Sequence, residues 1–158
     1  AFEMRILAFD VYQDRQFAEE HGVTFVGLEE LLRESDFVTI HAFLDAGTRH
    51  LIDAERLALM KPTAYLINTA RGGLVDQEAL VDALRAKRIA GAALDVFERE
   101  PLEAGSGLRA LDNVYLSPHM AGSSSDATGQ SALMAAENVV RVLRGERPHY
   151  AVNPEVLG

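Results

Sequence analysis

Short apolar runs alternate with segments of helical spacing along the whole sequence, and this alternation is the strongest constraint on the fold. Apolar side chains fill nearly every position of the runs, as in strands that are covered on both faces of a sheet. Strands that alternate with helices favour an α/β protein with a parallel sheet and helices on its faces. The predicted strands are residues 5–9, 23–26, 37–40, 64–67, 89–94 and 114–116.

The segments between these runs carry the signals of helix ends. Gly22 stands where a glycine commonly closes a helix, and Pro62 ends another helical segment because proline cannot continue it. Asp76 is a suitable N-cap for the good helix formers that follow it. The predicted helices are residues 13–21, 28–32, 53–60, 77–87 and 126–143.

Composition excludes several classes of function. The formal net charge is −9 and there is no basic run, so neither nucleic acid nor an anionic membrane is an expected partner. The sequence has no Cys, which excludes disulfides, zinc–thiolate sites and thiol nucleophiles and fits the reducing cytoplasm. The histidines lack metal-ligand spacing, so no metal is expected. No apolar run is long enough to span a membrane.

The stretch LINTARGGLVD, residues 66–76, runs from a buried strand through a polar turn into a helix. Arg71 follows the strand at its carboxyl end, which is where open α/β sheets bind ligands. Its fork of donors can hold both oxygens of a planar carboxylate at once. The alternative is that Arg71 caps a carbonyl group or pairs with a surface acid.

Other polar residues occupy the same position relative to their strands. Asp10, Asp95 and His119 each follow a predicted strand, as residues 68–71 do. The carboxyl ends of parallel strands share one edge, so these groups are expected to converge on one crevice. Asp10 has the position of an acid that holds ribose hydroxyls, although it could also simply end its strand.

His119 is a candidate general acid/base, because an unperturbed imidazole titrates near neutrality. A lone histidine after a proline is more often structural, and this alternative stays open for His119. A neighbouring carboxylate would favour the protonated ring and fix its tautomer. Glu98, Glu100 and Glu103 are the available carboxylates, and spacing alone does not choose among them.

Three long motifs follow one another in the second half of the chain: LINTARGGLVDQEAL at 66–80, GAALDVFEREP at 91–101 and NVYLSPHMAG at 113–122. With residues 37–41 and TRHL at 48–51, they resemble the D-isomer-specific 2-hydroxyacid dehydrogenases. Among the members of this family, the chain resembles glyoxylate/hydroxypyruvate reductases and phosphoglycerate dehydrogenases. The resemblance covers nearly the whole chain and implies a Rossmann-type, doubly wound parallel sheet with helices on both faces.

The resemblance also implies an activity. An oxidoreductase of this family passes a hydride between NAD(H) and C2 of a small 2-hydroxy or 2-keto acid. Arg71 matches the residue that holds the substrate carboxylate and keto oxygen. His119 matches the acid/base that protonates the keto oxygen during reduction, and Glu100 matches the carboxylate paired with it.

The remaining matches concern the cofactor and the assembly. Asp10 matches the ribose-binding acid, which favours NAD over NADP, and Asp95 matches the residue that contacts the nicotinamide end. Thr69 and Ala70 match the turn whose backbone lines the cofactor site. Gly122 matches the small residue near the nicotinamide. The family is usually a homodimer through this domain.

The resemblance sets an expectation about the extent of the chain. The family's G-x-G-x-x-G loop, the strand before it and a substrate-binding domain are expected to precede this segment. Residues 1–4 resemble the last turn of the helix after that loop, with Glu3 where the family often has a capping glycine. Residues 1–145 are interpreted as an NAD-binding domain incomplete at its N-terminus, and 146–158 as a tail returning toward the substrate domain.

Two alternatives to an active enzyme stay open. One is an NAD-sensing scaffold, as in the corepressors that resemble this family and keep similar motifs. The other is a catalytically inactive fragment that has the three site residues but does not hold the cofactor.

Overall fold

The computed structural model describes residues 3–157, which form two compact units. The first unit ends at His119 and the second begins at Met120. The strands are β1 Ile6–Ala8, β2 Val23–Phe25, β3 Phe37–Ile40, β4 Tyr65–Asn68, β5 Gly91–Leu94 and β6 Val114–Leu116. The helices are α1 Arg15–His21, α2 Leu28–Glu34, α3 Ala54–Leu59, α4 Gln77–Arg85 and α5 Ser125–Leu143. Short 3-10 turns occupy Gly72–Leu74, Gly107–Ala110 and Pro154–Leu157.

All six strands of the first unit are paired in parallel, but they form two sheets. One sheet contains β1 and β2, and the other contains β3, β4, β5 and β6 in that order. Within each sheet the neighbouring strands are those of a doubly wound arrangement, and β1 and β3 belong to separate sheets. In the larger sheet, the register aligns Ile40, Asn68, Leu94 and Leu116 at the carboxyl edge.

The core lies between one face of the four-stranded sheet and helices α2, α3 and α4. Alternate strand residues point to the same face, so Val38, Leu66 and Ala92 pack together toward these helices. The helices contribute mainly leucines, of which Leu32, Leu57 and Leu80 are buried. On the other face, Phe37 and Tyr65 stack with their ring centroids 5.7 Å apart, and they keep 56% and 45% of their surface exposed within this unit.

Side-chain caps determine where the helices begin. Asp76 caps α4 as predicted, accepting a hydrogen bond from the Ala79 N–H at 3.0 Å. Asp14 caps α1 in the same way through the Phe17 N–H at 2.9 Å, so this helix begins at Arg15 rather than at residue 13. Gly22 closes α1 with φ 66, the left-handed conformation that glycine adopts readily.

Two predicted helix boundaries differ from the structure, and in both places a residue has a positive φ. The sequence predicts that α4 reaches residue 87, but it ends at Arg85, because Lys87 takes φ 50 and the chain turns toward β5. The prediction of a helical turn at residues 1–4 is wrong for Glu3 and Met4, which are not helical. Ala1 and Phe2 lie outside the described residues. Glu3 has φ 53, a conformation that a capping glycine would adopt without strain.

The second unit consists of α5 and the segment that follows it. Ser124 caps α5 by accepting from the Ala127 N–H at 3.1 Å. None of the residues of α5 is buried. The Oδ1 atom of Asn138 accepts a hydrogen bond from the His149 N–H at 2.9 Å. This bond connects the segment after α5 to the helix. In the described part of the chain, no helix is both long enough and apolar enough to cross a membrane.

Candidate active site

The turn that presents Arg71 is shaped by a buried side chain at the end of β4. The Nδ2 group of Asn68 donates to the Arg71 carbonyl at 3.0 Å, and its Oδ1 accepts from the Ala70 N–H at 3.0 Å. Asn68 is 1% exposed, so these bonds form away from water. This role of Asn68 is not predicted from the sequence, although a lone amide at the end of an apolar strand was the available signal.

Gly72 brings the Arg71 turn against the loop that follows β5. A Cβ atom built on Gly72 would overlap the carbonyl group of Phe97 and the amide nitrogen of Glu98. Only glycine permits so close an approach of two backbones. The segment that carries Arg71 is therefore in direct contact with the loop that carries Glu100.

Arg71 is exposed and lines a cleft with His41, Phe43 and Leu44. Its Nη1 group donates to the Ala70 carbonyl at 2.6 Å. The alternative that Arg71 caps a carbonyl is thus partly realised. Within residues 3–157 this is the one hydrogen bond that the guanidinium of Arg71 makes, which leaves its other donors to the cleft. The arrangement suits a planar anion held by two parallel N–H groups.

Glu100 is the carboxylate that the structure places against His119. Its Oε2 accepts from Nδ1 of His119 at 2.7 Å, and its Oε1 accepts from the Phe97 N–H at 3.0 Å. The hydrogen bond from His119, and after it that from Phe97, lowers the pKa of Glu100 below its usual range. The two other candidate acids bond elsewhere: Glu98 to His50 and Glu103 to Arg99.

His119 is held in an unusual backbone conformation. Its φ of 51 lies in the left-handed region, which is uncommon for a residue other than glycine and costs free energy. Its N–H donates to the Asp95 carbonyl at 2.8 Å, and the Asp95 N–H donates to the Asn68 carbonyl at 3.0 Å. The carboxylate of Asp95 is buried and accepts from the Ser117 hydroxyl at 2.6 Å. These bonds connect the ends of β4, β5 and β6.

The other predicted site residues are more dispersed. Thr69 is exposed and Ala70 half-buried in the turn after β4. Asp10 follows β1 on the two-stranded sheet, where its Oδ1 accepts from the Tyr12 N–H at 2.9 Å. Gly122 belongs to the second unit. The larger sheet therefore brings together Arg71, Asp95, Glu100 and His119.

Asp10 on the two-stranded sheet and the carboxyl edge of the larger sheet both offer groups that suit a dinucleotide. Asp10 is exposed, and within residues 3–157 its Oδ2 has no hydrogen-bond partner, so it can accept from ribose hydroxyls. The carboxyl edge of the larger sheet is the crevice in which such ligands bind. Among the described residues, no group of three His, Asp or Glu side chains could hold a metal ion.

Comparison with known proteins identifies the fold and its family. Residues 1–121 match the sequence model of the D-isomer specific 2-hydroxyacid dehydrogenase, NAD binding domain. The chain belongs to this family. It is 49% identical over 156 residues to the glyoxylate reductase of Korarchaeum cryptofilum, a match that covers 99% of this chain and 47% of that protein. The chain spans about half the length of the first curated relatives it matches.

Solved structures of the family have the same fold. D-lactate dehydrogenase with NAD+ from Lactobacillus jensenii superimposes with a TM-score of 0.86 at 29% identity, over 94% of this chain and 48% of that one. A Xanthobacter autotrophicus enzyme of the family, in complex with NADPH and MES, gives a TM-score of 0.79 at 37% identity, over 98% and 63% of the two chains. The predicted family, NAD-binding domain and Rossmann-type parallel fold are thereby confirmed. The roles of single residues and the domain boundaries stay predictions.

Proposed function

We propose that the protein containing this chain reduces small 2-keto acids to D-2-hydroxy acids with NADH, and catalyses the reverse reaction with NAD. The observation that carries the proposal is the 2.7 Å hydrogen bond between His119 and Glu100, on a loop that touches the turn of Arg71. A paired imidazole and a cation with open donors are what reduction of a keto acid needs.

Each residue would have a separate task. Arg71 would hold the substrate carboxylate and orient its keto group. Glu100 occupies Nδ1 of His119, which leaves Nε2 to give a proton to the keto oxygen. The negative charge of Glu100 stabilises the protonated ring on which this step depends. When bound, the nicotinamide supplies the hydride, and much of the rate comes from holding the reactants in place and away from water.

The proposal includes NAD as the preferred cofactor over NADP. Asp10 supports it, because an exposed carboxylate can accept from the ribose hydroxyls and would repel a 2′-phosphate at the same place. Thr69, Ala70 and Asp95 would line the rest of the cofactor site, together with the site residues Arg71 and His119.

The proposal is tested by following NADH oxidation by the full-length protein with glyoxylate, hydroxypyruvate and pyruvate. His119→Asn should abolish turnover, since Asn tolerates the left-handed backbone but cannot deliver the proton. Glu103→Gln is the matched control, because Glu103 bonds Arg99 and not His119. Tight NADH binding without turnover of any substrate would instead favour the NAD-sensing scaffold.

The proposal extends to a homodimer in the cytoplasm. The exposed apolar side chains Leu133, Val139 and Leu143 on α5 support an assembly, and the absence of Cys suits a reducing compartment. Light scattering of the purified full-length protein measures the assembly directly, and a monomer at working concentration would contradict it.

A further inference from the structure

A second histidine–carboxylate pair lies apart from His119 and Glu100. The Nε2 atom of His50 lies 2.6 Å from Oε1 of Glu98, and its Nδ1 atom lies 4.0 Å from Oδ2 of Asp76. All three side chains are about one third exposed. In the mechanism above, none of them has a task.

The backbone of His50 is bonded to the segment that carries Arg71. Its N–H donates to the Gly73 carbonyl at 2.8 Å, and the Ile52 N–H donates to the Leu74 carbonyl at 2.9 Å. The Asp76 N–H returns a hydrogen bond to the Ile52 carbonyl at 3.0 Å. Residues 50–52 therefore lie beside the Arg71 turn as a short parallel pairing.

The side chain of His50 reaches a different segment. Glu98 precedes Glu100 by two residues on the loop after β5, and the same loop is in contact with Gly72. His50 thus connects, through its backbone and its ring, the two segments that carry Arg71 and Glu100. The backbone of His50 has φ 52. This conformation costs free energy and is typical of residues whose placement serves a function.

We propose that His50 is a positioning residue, whose bond to Glu98 keeps the 97–100 loop in place against the Arg71 turn and so keeps Glu100 against His119. An exposed ion pair of this kind adds little to global stability. Its effect is therefore expected on the geometry of the loop rather than on unfolding. The inference rests on the roles proposed for Glu100 and His119.

The charges near the two histidines make the sign of the effect informative. Glu98 and Asp76 face His50, and Arg49 lies nearby beside Gly73. Loss of any positive charge on the His50 ring would leave the proton affinity of His119 unchanged or raise it, because a like charge disfavours protonation. Displacement of Glu100 lowers that affinity instead.

The measurement is the titration midpoint of the His119 imidazole, followed by NMR of the histidine-labelled full-length protein without substrate. His50→Gly removes the ring while accommodating φ 52 without strain. The midpoint should fall by about 0.3–0.5 pH unit, roughly a two- to threefold loss of proton affinity. Glu98→Ala should lower the His119 midpoint by a similar amount. This variant provides the measurement if His50→Gly does not fold.

Two further variants complete the design. In the Glu100→Gln background, His50→Gly should give no additional shift, because the group it positions is already changed. Lys61→Ala is the matched control, since it breaks an exposed ion pair of 2.8 Å with Asp36 at the opposite edge of the sheet, and it should not move the midpoint. An unchanged or raised midpoint in His50→Gly, or a shift that persists fully in the Glu100→Gln background, would overturn the inference.

This readout needs no turnover. A lowered midpoint in a protein that reduces no keto acid would uphold the positioning role and reject the proposed activity. Normal turnover with an unmoved midpoint would do the reverse.

Discussion

Arg71 uses one N–H group on the Ala70 carbonyl and presents the rest of its guanidinium to the cleft. Arg71→Lys in the full-length protein should lower kcat/KM for glyoxylate or hydroxypyruvate about ten- to a hundredfold. An ammonium group is a point charge that cannot replace the second oriented hydrogen bond, a loss of about 1.5–3 kcal/mol. Arg99→Lys is the control on an exposed neighbouring loop. Wild-type kinetics in Arg71→Lys would contradict the role of Arg71.

The lowered pKa of Glu100 gives a pH dependence. A carboxyl with a depressed folded pKa stays ionised further into the acid range, so its stabilising charge is present at neutral pH and is lost as the pH falls through that pKa. Near neutrality Glu100 therefore favours the protonated His119 that reduction requires. In Glu100→Gln the alkaline limb of the pH–rate profile for reduction should move to lower pH. A limb that stays in place, as expected for Glu103→Gln, would mean that Glu100 does not act on His119.

Asp10 is expected to select the cofactor. Asp10→Ser should raise kcat/KM with NADPH relative to NADH, because the substitution removes the repulsion of a 2′-phosphate and leaves a small donor. Steady-state assays with both cofactors measure the ratio. Asp14→Ser keeps a capping side chain on α1 and serves as the control. Equal kcat/KM values with NADH and NADPH in the unmodified protein would contradict the role of Asp10 in selecting the cofactor.

Single residues show what the sequence can and cannot predict about the site. Placement of Asp95 and His119 after strands follows from the apolar runs before them. The contact between Glu100 and His119 does not, since three acids share one loop and only the fold selects among them; the choice depended on the resemblance. The roles of Asn68 and Gly72 depend on contacts with another segment, which no local pattern reports.

Among the elements, α4 connects the Arg71 turn to the core. Asp76→Ala should lower the free energy of unfolding by about 1 kcal/mol, because the Ala79 N–H loses its capping partner. Denaturant unfolding of the full-length protein checks this value. Asp82→Ala, on the exposed side of the same helix, is the control and should change stability much less. Equal losses in the two variants would show that the cap contributes nothing specific.

Within residues 3–157, the types of the helices and strands follow from the sequence, and their ends follow less well. Helix ends marked by a characteristic capping residue, such as Asp76 and Gly22, were predictable. The end of α4 depends on the left-handed Lys87, which no residue preference indicates. The 3-10 turn Gly72–Leu74 was also not predictable, because paired glycines indicate an open turn while the contact with Phe97 imposes a compact one.

For the molecule as a whole, the parallel arrangement is predictable, but the division into two sheets is not. Pairing joins residues far apart in sequence, so composition and periodicity do not reveal which strands stay separate. The exposure of Phe37 and Tyr65 is a second difference, since apolar strands indicate cover on both faces.

The 158-residue chain expressed alone is expected to be poorly stable or oligomeric and to show no NAD-dependent turnover. Strands β1 and β3 belong to different sheets, and an unpaired strand edge invites association with other chains. Light scattering, calorimetry with NADH and a 2-keto-acid assay on the purified chain decide the matter. A stable monomer that binds NADH and turns over substrate would refute this expectation.

The parallel strands also have a practical consequence for surface chemistry. The sequence contains two lysines, Lys61 and Lys87, and they precede β4 and β5 at the amino edge of the larger sheet. His119 and Arg71 lie at the carboxyl edge. Coupling through lysine amines to a sensor chip or a bead would therefore attach this sheet by the edge away from the candidate site, and leave the crevice open to the surrounding solution.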